Sequence, residues 1–379
     1  MIALSLLGIG CTGVEKNYDA VICKKPLPYE GKPLYDKDVT LPAKDYVIGS
    51  AFDETTRLNL NQAMLEAMRL TKANVMSAAV ATTKGSWQAT RSADGSPQAV
   101  RLYWASVGKA FTATVIMQLV EEGKISLLDP VSNWVPEVPN ASIITIDHLL
   151  QHTSGLFSAN EDLVVREAPR YYSPDENIEI STNHGAMFCP GQWWRYSNTG
   201  YTLLGKLIEQ VDGRPYHEAV NARISDSLMP TSLHALAPLE QPVDVAPLVP
   251  ADGSDPNMSP DWGYAAGSVV GTAADMIRFW QALLTSKLLT EEDTIGLFER
   301  LYPMFDSYTF YGRGVMLYSL PDSDSGNKIW LGHSGGTPGG KAVVAYSLKK
   351  KAFVAVALTG DGSAPATAQF LLKQLEVQE

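Results

Sequence analysis

From Ala110 to Val120 the chain reads Ala-Phe-Thr-Ala-Thr-Val-Ile-Met-Gln-Leu-Val, apolar on nearly every face at helical spacing. A helix of that kind has no side to turn toward water, so the fold must close around it with further layers. It stops at Glu121-Glu122-Gly123-Lys124, with Gly123 a natural left-handed cap. The rest of the chain offers the layers. Residues 56–72 place Leu58, Leu60, Ala63, Met64, Ala67, Met68 and Leu70 near helical spacing, and 75–82 and 85–91 read as strands about a Lys84-Gly85 turn. Strand patterns return at 314–320, 328–332, 342–347 and 352–359, before a closing helix over 365–377 with Pro365 in its first turn. Thr272 to Asp275 resembles a capping box ahead of a helix over 276–284. Residues 125–260 show helical patches broken by irregular stretches, Pro-rich from Pro238 to Pro256. This pattern predicts an α/β fold, an antiparallel sheet flanked by helices in a three-layer sandwich, with an inserted, mostly helical domain. The sandwich is expected from 51–115 and 262–379, the helical domain from 116–261.

At 379 residues the chain is long enough for about two packing units. Its net charge of −11 carries no basic footprint for nucleic acid. No apolar run approaches the length of a membrane span. Three cysteines, none in a CxxC pair, predict no disulfide framework. The apolar run from Met1 to Gly10 ends at Cys11 and resembles the tail of a bacterial lipoprotein signal. It lacks a preceding Lys or Arg, and Gly8 stands where Leu is usual. Residues 1–24 are therefore expected to be a signal region with Cys11 as its lipidation site, and 25–50, with Pro26, Pro28, Pro33 and Pro42, a tether or surface arm. A lipid anchor would be the chain's contact with a membrane and would place it on the periplasmic side of the bacterial envelope.

Several motifs compete for the chemistry. Gly332-His333-Ser334-Gly335-Gly336 fits G-x-S-x-G, but an α/β-hydrolase needs an acid and then a His after the serine, and no His follows His333. His148 and His152 are four apart, yet Leu149 stands where a zinc peptidase carries Glu, so they read as a partly buried helix end with local hydrogen bonds. S-x-x-K occurs at Ser106–Lys109, Ser325–Lys328 and Ser347–Lys350. The last two fall in an Asp/Ser/Gly loop and at a hairpin corner, and read as solvated surface. Ser106 alone opens the buried helix, where positions i and i+3 share a face and Lys109 can reach the serine hydroxyl. The helix N-terminus favours an alkoxide or oxyanion there. Tyr196-Ser197-Asn198 is the only Y-x-N, and His333-Ser334-Gly335 the only [K/H]-[S/T]-G.

In that order, the elements resemble the serine β-lactamase-like superfamily of penicillin-recognising enzymes, from about residue 55 onward. The nearest branch resembles class C β-lactamases, D-alanyl-D-alanine carboxypeptidases and related esterases, supported by residues 147–156, 196–205 and 263–268. The resemblance implies Ser106 as an acyl-enzyme nucleophile, Lys109 as its proton acceptor, and Tyr196 as a shuttle to the leaving group. It implies Asn198 holding Lys109 and binding a substrate amide, with His333, Ser334 and Gly335 lining the opposite wall on an edge strand. The backbone N–H groups of Ser106 and Gly336 would form the oxyanion hole. No metal and no cofactor is implied, and the partner is a small-molecule or peptide substrate. Class C β-lactamases carry Lys where this chain has His333, so an ester or D-alanyl amide is expected to be preferred to a β-lactam. The alternative is a penicillin-binding-like module without efficient turnover. Trp104, Trp193 and Trp194 are candidates for an apolar acyl pocket, with core packing the expected role of at least one of them.

Overall fold

The structure, a computed structural model, describes residues 21–167, 170–250, 260–322 and 326–375. Cys11 and Ser325 lie outside these residues. Among the described residues the main sheet has eight strands: β1 (Val75–Ala81), β2 (Ser86–Ser92), β6 (Tyr302–Pro303), β7 (Thr309–Tyr311), β8 (Met316–Asp322), β9 (Gly326–Thr337), β10 (Gly340–Ser347) and β11 (Ala352–Thr359). Their order is β2-β1-β11-β10-β9-β8-β7-β6, antiparallel at every pairing. A small sheet of β3 (Leu102–Tyr103), β4 (His234–Ala235) and β5 (Val269–Gly271) lies beside it, in the order β3-β5-β4.

Alternation along the central strands builds the sandwich. Ala78 and Val80 of β1, with Val354 and Val356 of β11, face the helices Glu54–Thr71 and Ala364–Leu372. Ala79, Ala81, Ala355 and Ala357 turn to the other side, toward the helices Gly108–Glu121 and Ala273–Leu284. Every residue of β11 is buried, as a strand covered on both faces requires. The all-apolar helix is the inner one expected, its Phe111 ring stacked on Phe279 with centroids 3.7 Å apart. Gly123 ends it at φ +67°, and the Thr272 side chain caps the helix that follows β5.

Three features differ from expectation. β9 runs well past 328–332, because Gly332 to Thr337 pair in register with β10. Cys23 and Cys189 form a disulfide, so residues 21–24 belong to the folded arm. The partners are 166 residues apart in sequence, and nothing local identifies them. The arm starts with Asn140 bonded to both Val21 O and Cys23 N, crosses β6 and β7, and ends at β2, where Ala51 bridges Ser86. Ser347 also departs from the solvated reading. It is buried at the hairpin corner, and its hydroxyl accepts from Lys350 N at 3.4 Å.

Candidate active site

Ser106 lies in a 3-10 turn, Ala105–Val107, and the α-helix begins after it at Gly108. Ala105 holds a left-handed φ of +46°, uncommon for a residue with a Cβ. The turn is clamped from two sides. Trp104 is fully buried, its backbone N–H donating to Val269 O and its indole N–H to Gly271 O. Gly335 of β9 packs so close that an added Cβ would collide with Trp104 O and sit 3.0 Å from Ser106 N. Glycine there lets β9 approach the backbone of the serine turn.

Lys109 projects from the first helical turn into the interior, with no exposed surface. Its Nζ is 3.1 Å from Ser106 Oγ and donates to Ala266 O at 2.7 Å. The nitrogen sits 4.9 Å from the centroid of the Tyr196 ring and 5.5 Å from that of Tyr201. Burial pushes the Lys109 amine well below its ordinary pKa. A neutral amine at this distance can take the hydroxyl proton of Ser106. Tyr196 reaches the same hydroxyl; burial raises its pKa, against the opposing hydrogen bond to Ser106, so it stays a neutral phenol.

Three expectations need correction. Asn198 makes no hydrogen bond to Lys109 among the described residues: its Nδ2 donates to Asn160 Oδ1 at 2.8 Å. Its own Oδ1 is buried without a hydrogen-bond partner among the described residues. His333 does not line the cleft. Its ring is fully buried, Nδ1 donating to Ser334 O at 2.7 Å and Nε2 accepting from Tyr311 O–H at 3.2 Å. Burial, with Lys109 nearby, pushes the His333 pKa down to about 3. Strand alternation is the reason: when Ser334 faces the cleft, its neighbour must face the core. Finally, β9 is an interior strand by sheet order. Its pairing with β8 stops at Gly332, however, so 333–337 pair on the β10 side while Ser334, Gly335 and Gly336 line the cleft.

His152 has a place in the site that its reading as a helix end with local hydrogen bonds did not give it. His148 does close a helix end locally, its Nδ1 accepting from Thr145 N at 3.1 Å. His152 is instead fully buried behind Tyr196, with ring centroids 4.2 Å apart. Its Nδ1 accepts from Ser197 N at 3.2 Å, which places its proton on Nε2, and Nε2 has no partner among the described residues. Burial, then Lys109 and His333, drive its pKa well down. The signal was present in residues 147–156, but a motif cannot say which of two histidines turns inward.

Ser106 stands where two lobes meet. The smaller, about 180 Å³, has Asn160, Asn177, Asn198, Thr199 and Thr202 among its lining, beside Tyr103, Ala159 and Pro338. The larger, about 580 Å³, holds Tyr196, Met304, Phe305, Met316 and Tyr318. Gly336 borders both. Trp104, Trp193 and Trp194 line neither, and Trp194 packs behind Tyr196 instead. Lys341 is the cation among the described lining residues, and its amine is held by Asp361 Oδ1 at 2.8 Å and Thr337 O at 2.7 Å. A larger cavity of about 790 Å³ at the β2 edge contains none of these groups.

A sequence model described as Beta-lactamase matches residues 65–377, the stretch that contains Ser106, Lys109, Tyr196 and β9. The chain belongs to the beta-lactamase family. Within it, the chain is 31% identical over 236 residues to the putative penicillin-binding protein PbpX of Bacillus subtilis, covering 61% of this chain and 56% of that one. It is 32% identical over 140 residues to the esterase EstB of Burkholderia gladioli, covering 33% and 36%. A D-stereospecific amidohydrolase from Streptomyces superposes with a TM-score of 0.71 at 26% identity, covering 84% of this chain and 97% of that structure. The match to PbpX thus spans about half of that relative's length.

Proposed function

We propose that this family member is a serine hydrolase that works through an acyl-enzyme on a neutral ester or amide. The observation that carries the reading is a fully buried Lys109 amine 3.1 Å from Ser106 Oγ. The neutral amine takes the hydroxyl proton as Oγ attacks the carbonyl carbon, and the backbone N–H groups of Ser106 and Gly336 receive the oxyanion. Tyr196, a neutral phenol at the same hydroxyl, passes the proton to the departing alkoxide or amine. Water then attacks the acyl-enzyme with the same pair as base. Asn198 Oδ1 accepts an N–H from an amide acyl group. The names of similar proteins, an esterase and a D-stereospecific amidohydrolase, agree with ester or amide bonds as the target.

β-Lactams are expected to be poor substrates, since Lys341 is already ion-paired and His333 is turned into the core. The reading also carries the envelope location, because a disulfide such as Cys23–Cys189 persists in an oxidising compartment. The test is labelling with a fluorophosphonate probe and turnover of p-nitrophenyl esters, nitrocefin and a D-Ala-D-Ala peptide. Label on Ser106, lost in Ser106→Ala, with esters turned over faster than nitrocefin, is expected. Label on Ser334, or no turnover of any substrate, would overturn the reading.

A further inference from the structure

The family match starts at residue 65, so the arm over residues 21–51 lies outside it. That arm touches both elements that frame the larger lobe. On one side is the loop from Cys189 to Tyr196. Cys189 is bonded to Cys23, Leu27 N donates to Pro190 O at 2.8 Å, and Glu30 N donates to Gln192 O at 2.8 Å. Gly191, at φ +85°, lies so close to the arm that an added Cβ would fall 2.5 Å from Leu27 O. From inside, the same loop is held by Gly191 N to Thr153 O and Arg195 N to His152 O. The loop is therefore pinned between the core and the arm, and Tyr196 is the next residue after Arg195.

On the other side is the β6–β7 pair. Tyr29 meets Tyr302 edge-on with centroids 4.9 Å apart, Tyr35 packs on Phe310 at 5.1 Å, and Tyr35 N donates to Leu301 O at 3.0 Å. Between these contacts the chain turns out to Met304 and Phe305, which line the lobe. Phe305 is 79% exposed, and the support seen for its ring is an edge contact with Trp194 at 5.8 Å.

We propose that the arm is a strap that completes this cleft. Fastened by Cys23–Cys189, it positions Tyr196 for proton transfer and holds the Met304–Phe305 wall that selects the acyl chain. The proposal rests on the hydrolase reading above. Unfastening it frees the loop and the wall together, and a misplacement of about 1 Å can cost a reaction up to about 10²-fold. The strap thereby makes turnover depend on the redox state of one bond. Two electrons and two protons open it to two thiols while dithiothreitol closes to its cyclic disulfide.

The experiment uses the full chain, oxidised and dithiothreitol-treated, with p-nitrophenyl acetate and octanoate as substrates and a fluorophosphonate probe for Ser106. Below the thermal transition of both forms, reduction should lower kcat about 5- to 50-fold while Ser106 still takes the label. The octanoate-to-acetate ratio of kcat/KM should change at least about three-fold. Cys23→Ser and Cys189→Ser should each reproduce the loss, their combination should add nothing, and dithiothreitol should no longer act on them. Tyr29→Ala, which leaves the disulfide in place, should shift the same substrate ratio and covers the case where the cysteine variants fail to fold. Equal turnover and equal ratios in both redox states, with Ser106 labelled in each, would overturn the strap. So would activity lost only in step with unfolding, since that would leave the arm a stabilising role alone. Absence of label in the oxidised protein would instead sink the hydrolase reading on which the strap depends.

Discussion

Lys109 has no exposed surface, and its Nζ neighbours are a hydroxyl and a backbone carbonyl. Such an amine gives up its proton far more readily than one in water, and below its lowered pKa it is an ammonium that cannot take a proton from Ser106. Activity should therefore fall on the acid side as Lys109 gains a proton. Tyr196 is the complementary partner, a phenol kept protonated by burial and able to donate where Lys109 has just accepted. Removing its hydroxyl leaves the ring contacts with His152 and Trp194 in place. Tyr196→Phe should thus fold normally and lose about 10²-fold or more in kcat, the scale of general acid–base catalysis. Steady-state kinetics beside a thermal melt checks this, and near-normal kcat would remove Tyr196 from the relay.

At the scale of elements, the site depends on how closely β9 meets the serine turn. β9 passes Ala105 and Ser106 at backbone distance because Gly335 has no side chain, and Gly267 is as close to Ala105, where an added Cβ would fall 2.8 Å from its carbonyl oxygen. Ala105 is held at its left-handed φ beside them. Gly335→Ala inserts a methyl group against Trp104 O and Ser106 N, so either the strand or the turn must move. β9 is anchored along its length to β10, so the turn is the element that yields. Ester turnover should fall by about 10²-fold or more while the far-UV circular dichroism spectrum is kept. Unchanged kinetics in this variant would mean that the contact does not position Ser106. His152 works on the opposite wall in the same manner, as the buried acceptor that fixes the Ser197 amide between Tyr196 and Asn198.

For the whole molecule, the core behind the cleft has a consequence for stability. His152 and His333 are both buried neutral, within the field of Lys109. The unfolded chain binds a proton at His333 near 6.5, while the folded chain does so only near 3. Between those values the unfolded state holds more protons, so the contribution of His333 to stability is fully present above about 6.5 and is lost as pH drops toward 3. His152 and Lys109, lowered by the same burial, act with the same sign. The melting temperature should decline steeply from pH 7 to 4, and less steeply in His333→Gln. Parallel decline in the two proteins would remove His333 from the acid response.

What the sequence by itself determined were the features that local chemistry dictates. The all-apolar stretch after Lys109 could only be an inner helix, and the period-two strands at both chain ends could only be a covered sheet. The spacing of Ser106 and Lys109 put both on one face, because the α-helix repeats every 3.6 residues. Tyr196-Ser197-Asn198 and His333-Ser334-Gly335 stood out by type and order, and Gly123 by its place after the helix. Tertiary structure decided whatever depends on which way a side chain turns or which distant residue it meets. Pairing with β10 set the register that buried His333 and showed Ser334 to the cleft. Contact between helices drew Asn198 to Asn160 rather than to Lys109. His152 turned inward while His148 stayed at its helix end. Cys23 found Cys189 across 166 residues because the arm follows the outer wall of the cleft, a path that no local pattern of residues encodes.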